Sequence, residues 1–300
     1  MKTACKTERS IVRYTYNKTS FVQLNLNREA IVLSTKELDN FKNSGDFIQS
    51  LERGLQVIQA FSQQNPAMTV SEMAKGTGLS RPTARRILLT LEHLGFAESR
   101  NGLYRLTPRA LSLGYAYLSS NNVWSIAHPF MRKFVDETGE SCSISILDGM
   151  EVLYVARVST KRIMSINLDV GSRLPAYATS MGHVLLANLP EDELDHLLDN
   201  VDFEKFTDKT ITDKEEMKEV LDDVRQKNWG GVDQQLEEGL RSIAVPIRDR
   251  NGRVIAAINC SAHAGRISKT VLREEFLPLL QDCAEKIGQA LAATDSSGRL

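Results

Sequence analysis

No stretch of this chain comes near the about 18 consecutive apolar residues of a membrane-spanning helix. Its start, Met1-Lys2-Thr3-Ala4-Cys5-Lys6, lacks the apolar run of a secretory signal. The chain is therefore expected in the cytoplasm, with no membrane partner. Cysteine is scarce: Cys5, Cys142, Cys260 and Cys283 lie far apart and form no CxxC pair. That pattern excludes a disulfide framework and fits free thiols in a reducing compartment. Cys260 and His263 have a C-x-x-H spacing, but a structural zinc takes about four ligands and no second pair lies near in sequence. On a strand these two side chains would face opposite sides, so a core cysteine and a surface histidine are expected, with no metal and no cofactor. Walker loops, GxGxxG and the G-x-S-x-G elbow are also missing, so no catalytic residues and no enzyme activity are expected.

What is present is an uneven charge. The net charge of −1 divides into +4 over residues 1–45, +2 over 46–108 and −7 over 109–300. A mildly basic front on an acidic rear suits a DNA-reading head carried by a sensing or oligomerising body. The length suggests two domains. Residues 1–45 read as an extension without firm periodicity, apart from a strand-like alternation at Phe21–Leu26. Residues 46–108 read as a winged helix-turn-helix, 109–127 as a linker helix with apolar positions suited to dimer contacts, 128–294 as an α+β domain and 295–300 as a tail.

The head rests on ordered local signals. A helix is expected over Phe47–Phe61, with Leu51, Leu55, Ile58 and Phe61 as its buried stripe and Ser50 as its cap. Thr69 followed by Glu72 has capping-box spacing. Ala74 is small enough for two helices to cross closely, Gly78 can take the left-handed conformation that ends the first of them, and Leu79 can plug the core. Ser80 then caps a helix running to about Leu94, with Pro82 tolerated in its first turn. Ala84, Ile87, Leu88, Leu91 and Leu94 form its apolar stripe, and the arginines lie mostly off it. In this motif the N-terminal end of the second helix meets base edges. Arg81, Thr83 and Arg85 are therefore expected nearest the bases, with Ser80 beside them and Arg86 on phosphate. Asn101-Gly102 predicts a two-residue hairpin turn between Phe96 and Leu106, flanked by Arg100 and Arg105 on a wing along the sugar-phosphate backbone. The competing reading is a three-helix structural domain with a solvated arginine face.

Beyond the linker, the pattern predicts a helix near Pro129–Thr138 and strands at Cys142–Leu147, Glu151–Val158 and Ile163–Leu168. A loop at Gly171–Tyr177 leads to a small-residue helix at Ser180–Asn188 and acidic helices near Glu191–Leu198 and Asp213–Lys227. Strands at Leu240–Arg248 and Val254–Ala262 precede a last helix over Val271–Ala293. Strands covered by helices indicate an α+β sheet domain.

These motifs together resemble the IclR family of transcriptional regulators from about Gln49 to Ala293. The likeness is carried by Gln49-Ser50-Leu51-Glu52-Arg53-Gly54-Leu55, Leu79-Ser80-Arg81-Pro82-Thr83-Ala84-Arg85-Arg86, Leu174-Pro175-Ala176-Tyr177-Ala178-Thr179-Ser180-Met181-Gly182 and Glu238-Gly239-Leu240-Arg241-Ser242-Ile243-Ala244-Val245-Pro246-Ile247. The run from Tyr154 to Val158 through Gly182 is most similar to the Pca/Pob branch, which governs catabolism of protocatechuate, 4-hydroxybenzoate and β-ketoadipate. The resemblance implies a GAF-like effector-binding domain, dimers or tetramers on double-stranded operator DNA, and control by a small aromatic acid or dicarboxylate. Two departures stand out. The run Asp233-Gln234-Gln235 has a glutamine where the family often has an acid, and the front extension has no counterpart in the family pattern.

The loop into the helix at Ser180 offers a physical site for such an effector. Thr179 or Ser180 can cap the helix, and the N–H groups of Ser180, Met181 and Gly182 would favour an anion. Tyr177 or Met181 would stack on an aromatic ring, and Arg162 or Arg173 would pair with a second carboxylate. By resemblance, Ser242, Asn259 and Ser261 line the facing strands. The alternatives are a tightly packed helix with no cavity, a ligand-binding module or enzyme with a vestigial DNA-binding head, and a redox sensor built on Cys142, Cys260 or Cys283.

Overall fold

The computed structural model describes residues 22–23, 31–32, 41–62, 64–114, 123–160 and 168–297. Most of the extension, Cys5, residues 115–122 of the expected linker helix, Arg162 and residues 163–167 of the expected third strand lie outside them. Within the extension, β1 (Val22–Gln23) pairs antiparallel with β2 (Ile31–Val32).

The head contains α1 (Gln49–Gln59), α2 (Val70–Thr77) and α3 (Arg81–His93), then a hairpin of β3 (Ala97–Arg100) and β4 (Leu103–Leu106). The expected caps are in place. Thr69 and Glu72 complete a capping box, Gly78 is left-handed at φ 70°, and the Ser80 hydroxyl accepts the Thr83 N–H. Asn101 and Gly102 both have positive φ, 54° and 78°, as a tight hairpin turn requires. Val57, Met73, Ala74, Ala84, Leu88, Leu91 and Tyr104 form the core, and Leu79 packs against it. The first helix departs from expectation. It begins behind Ile48, which caps nothing with its side chain, rather than being capped by Ser50. Leu51 and Leu55 point to solvent with Ile48, while Ile58 and Phe61 of the expected stripe pack against the core beside the fully buried Val57.

The body opens with α4 (Val123–Thr138), which passes through Pro129 without ending. A boundary at residue 127 therefore has no counterpart in the helix. Proline there costs one backbone bond, and burial of Ala127, Met131 and Phe134 on either side holds the helix together. The strands are β5 (Ser141–Asp148), β6 (Glu151–Val158) and β7 (Arg173–Pro175). After them come α5 (Ser180–Ala187), α6 (Glu191–Asp199) and α7 (Lys214–Lys227), then β8 (Gly230–Asp233), β9 (Leu240–Arg248) and β10 (Val254–His263). The chain closes on a helix that starts at α8 (Lys269–Val271), widens to a π-helical stretch at Leu272–Phe276 and continues as α9 (Leu277–Ser297).

These strands form one six-stranded antiparallel sheet in the order β7-β6-β5-β10-β9-β8. Alternation along each strand feeds two cores. Ile144, Ile258, Ile243 and their neighbours pack under α4 and α9 on one face. Leu147, Val152, Ala257 and Ala244 pack under α5, α6 and α7 on the other. Two strands go beyond the sequence reading: β7 lies inside the expected loop, and β8, which begins Gly230-Gly231, falls between the expected helix ending at Lys227 and the expected strand at Leu240. No described helix is long and apolar enough to cross a membrane.

Candidate functional site

On the head, Ser80, Arg81, Thr83, Arg85 and Arg86 lie together at the N-terminal end of α3. All are exposed except the half-buried Thr83. The Ser80 and Thr83 hydroxyls bond each other at 2.8 Å, so their first task is to fix the helix start. Arg81, Arg85 and Arg86 have no ion-pair partner among the described residues. The hairpin arginines differ, because Arg105 lies 2.6 Å and Arg100 3.8 Å from the carboxylate of Glu98.

In the body, all residues of α5 are buried, and the Thr179 hydroxyl caps the helix by accepting the Gly182 N–H at 3.1 Å. Of the three N–H groups expected to be free, that of Gly182 is therefore taken. Gly182 also shows why a glycine stands here. A Cβ at this position would sit 2.0 Å from the Ala176 carbonyl oxygen.

A cavity lies between the sheet and the loop leading into α5. Its described lining is polar on one side, with Tyr154, Arg157, Thr179, Ser242, Asn259 and Ser261. Leucines 168, 174, 236 and 240 and Val232 line the other. Its free volume is about 30 Å³, room for about one or two waters, so a ligand the size of a benzoate needs the walls to part.

Register explains the polar side. Ala244, Asn259, Ser143 and Arg157 are successive cross-strand neighbours over β9, β10, β5 and β6. Ser145 and Tyr154 form the neighbouring pair, and between the two pairs β6 carries an extra residue, a β-bulge at Val155. A bulge reverses which side chains face the core. Val152 and Tyr154 face the α5 side, Val155, Ala156 and Val158 face the α4 and α9 side, and Arg157 returns to the α5 side. Tyr154 and Arg157 thus share a cavity that strict alternation would deny to one of them. Arg157 donates to Ser143 Oγ at 3.0 Å and has no carboxylate partner among the described residues. Burial pushes the Tyr154 hydroxyl up to about 12, against a small pull from Arg157, so it stays a protonated donor. Asn259 donates to Ser261 Oγ at 2.9 Å, while its own Oδ1 is buried with no partner among the described residues.

Of the expected effector residues, the structure brings Thr179, Ser242, Asn259 and Ser261 to the cavity. Tyr177 packs instead between Phe203 and Phe206 and accepts the Glu204 N–H at 2.8 Å. Met181 is fully buried and accepts from Ser145 Oγ at 3.2 Å. Ser180 and Gly182 lie behind the lining, the Ser180 hydroxyl without a partner among the described residues. Arg173 is bound to Asp148 and to Glu151, so it is not free for the second carboxylate expected of it. Arg157 is not among the expected anchors. A lone arginine inside the apolar run Val152–Val158 was the available signal.

The thiols are sealed. Cys142, Cys260 and Cys283 are free and buried in the α4 and α9 core. Burial raises all three, Cys283 to about 12, so at neutral pH they are protonated and poor nucleophiles. His263 is exposed on the same strand as Cys260, and no described cluster of three metal-binding side chains exists. His183 is also buried; burial keeps it neutral, and its Nε2 meets the Tyr177 carbonyl oxygen at 2.7 Å.

Residues 50–100 match the profile of the IclR helix-turn-helix domain and residues 115–289 that of the bacterial transcriptional regulator IclR C-terminal domain. The chain is similar to the Pca regulon regulatory protein of Pseudomonas putida, 42% identical over 82% of this chain and 84% of that one. It is also similar to the p-hydroxybenzoate hydroxylase transcriptional activator of Acinetobacter baylyi, 35% identical over 81% of this chain and 91% of the relative. Among solved structures it resembles an IclR homolog from Microbacterium hydrocarbonoxydans complexed with 4-hydroxybenzoate. The TM-score is 0.72 at 26% identity, covering 82% of this chain and 100% of that one.

Proposed function

The chain belongs to the IclR family of transcriptional regulators, and from that premise we propose that it controls genes for aromatic-acid catabolism in response to a small carboxylate held against Arg157. The observation that carries this reading is the guanidinium itself. It sits half-buried in the cavity, bonded to one serine, with no acid of the protein to neutralise it among the described residues. A ligand carboxylate supplies that charge through a paired hydrogen bond. The buried acceptor Asn259 Oδ1 then suits a ring hydroxyl, and the leucines suit the ring. A relative that regulates the Pca regulon and a neighbour bound to 4-hydroxybenzoate support protocatechuate, 4-hydroxybenzoate or a β-ketoadipate-type dicarboxylate as the class.

On the DNA side, Arg81, Thr83 and Arg85 face base edges, while Arg86, Arg100 and Arg105 meet phosphates. The protein works as a homo-oligomer on cytoplasmic DNA. The exposed apolar residues Ile48, Leu51, Leu55, Leu111 and Leu113 support contact between copies. The cavity's small volume supports a mechanism in which the effector selects a more open body and so changes how paired heads are placed.

The test is a thermal-shift series with protocatechuate, 4-hydroxybenzoate and β-ketoadipate. A ligand at one hundred times its Kd adds about 2.7 kcal/mol of stability, and Arg157→Met is expected to abolish most of that shift. No shift with any of the three, or an undiminished shift in Arg157→Met, overturns the effector assignment.

A further inference from the structure

The hairpin arginines are the only ones of the head's candidate DNA-contacting set that the described residues neutralise. Glu98 on β3 is the direct cross-strand partner of Arg105 on β4. Arg100, two residues along β3, projects to the same side as Glu98. Both carboxylate oxygens are engaged: Oε1 lies 2.6 Å from Arg105 Nε and Oε2 lies 3.8 Å from Arg100 Nη2. The opposite face of the hairpin is committed to the core through Ala97 and Tyr104. The outward face therefore displays an Arg-Glu-Arg row, with a net charge of one rather than two.

We propose that Glu98 is an affinity-setting residue for DNA: a carboxylate that occupies the hairpin arginines as a phosphate would and so weakens the wing's grip on any duplex. The proposal rests on the hairpin acting as a wing on the sugar-phosphate backbone. An exposed ion pair of this kind contributes little to folding, so its presence is not explained by stability. Its electrostatic consequence is larger. A phosphate approaching Arg105 must displace a like-charged group 2.6 Å from the guanidinium, or bind beside it against repulsion. Three unpaired arginines on α3 and two restrained ones on the hairpin keep a single head weak and leave tight binding to paired heads. Weak phosphate binding by each head suits a regulator that must release its operator when an effector moves the heads by small amounts.

The experiment uses the full-length protein and a gel-shift or anisotropy titration across a salt series, on an operator fragment and on unrelated duplex. Glu98→Gln keeps the side-chain shape and removes the charge. It is expected to tighten binding to both duplexes several-fold at about 0.1 M salt. Freeing one more phosphate contact steepens the slope of log K against log salt by about 0.9. In an Arg105→Ala background the same replacement is expected to gain clearly less, which a general loosening of the fold would not produce. Equal or weaker binding by a folded Glu98→Gln protein, with an unchanged salt slope, overturns the proposal. So does an equal gain with and without Arg105. A wild-type protein that binds no duplex at low salt strikes the wing reading itself and the proposal with it. Normal wild-type binding with an inert Glu98→Gln strikes the proposal alone.

Discussion

The head and the body display their arginines in opposite ways. Arg81, Arg85 and Arg86 stand exposed at the start of one helix, whereas Arg157 is half-buried in a strand and reaches the cavity past a bulge. A surface site needs a helix start and a 3.6-residue period, both of which are local. A buried site needs strand register, which is settled by partners distant in sequence. The two regions therefore fail differently under substitution, and the difference can be measured.

The largest expected effect is in the body, at Gly182. Alanine there would push a Cβ to 2.0 Å from the Ala176 oxygen, and both segments are backbone in a fully buried neighbourhood with no flexible side chain to yield. Overpacking of this severity costs about 3 kcal/mol or more. Calorimetry on Gly182→Ala should show a fall of about 6–12 °C in the body's melting transition. Gly78→Ala in the head tests the contrast. Unlike Gly182, which sits in helical backbone, this residue is left-handed at φ 70°, but nothing lies within 4 Å of the added Cβ, so its penalty should be only that of the strained φ, about 1 kcal/mol. If Gly182→Ala melts no earlier than Gly78→Ala, close packing is not what selects that glycine.

Next in size is a crossed pair. Arg85→Ala should weaken operator binding by about 1–3 kcal/mol, the worth of one good bidentate base contact, and leave the effector-induced thermal shift intact. Arg157→Met should weaken effector binding by about 1.5–3 kcal/mol, the worth of a charge-assisted hydrogen bond, and leave operator binding without effector intact. Measuring both ligands on both variants breaks the comparison if either variant loses both activities.

The same division governs what could be read from the sequence. Capping box, αL glycine, Ser80 cap and Asn-Gly turn are each set by a few adjacent residues, and all occur where the pattern put them. The Ser180 helix, the acidic helices and the long strands were visible for the same reason. The bulge at Val155 was not, because an inserted residue leaves no mark in the composition of a strand. Nor was β8. Its Gly230 is small because the Ser180 carbonyl oxygen of α5 passes 3.1 Å from where a Cβ would be, a tertiary demand that looks like a turn. Leu51 and Leu55 lie at the exposed margin of the expected stripe because the neighbouring helices take the side of α1 that holds Val57, Ile58 and Phe61. Tyr177 and Met181 were expected at the cavity from their chemistry, but Phe203, Phe206 and Ser145 hold them in the packing behind it.

The smallest expected effect separates two serines at helix starts. Ser80 is a working cap: its hydroxyl accepts the Thr83 N–H and bonds the Thr83 hydroxyl, so Ser80→Ala should cost about 1 kcal/mol. Ser180 occupies a similar place in the sequence, yet Thr179 does the capping, and the Ser180 Oγ is buried without a partner among the described residues. A buried hydroxyl with nothing to bond is a cost to the fold, and replacing it with a methyl removes that cost. Ser180→Ala should therefore leave the unliganded melting temperature unchanged or raise it by the equivalent of about 1 kcal/mol at most. Because Ser180 stands behind the cavity lining, the effector-induced shift should also be unchanged. A Ser180→Ala protein that melts lower and also loses part of the effector shift would show that the hydroxyl anchors a bound water or the ligand itself. The floor of the cavity would then extend to the first turn of α5.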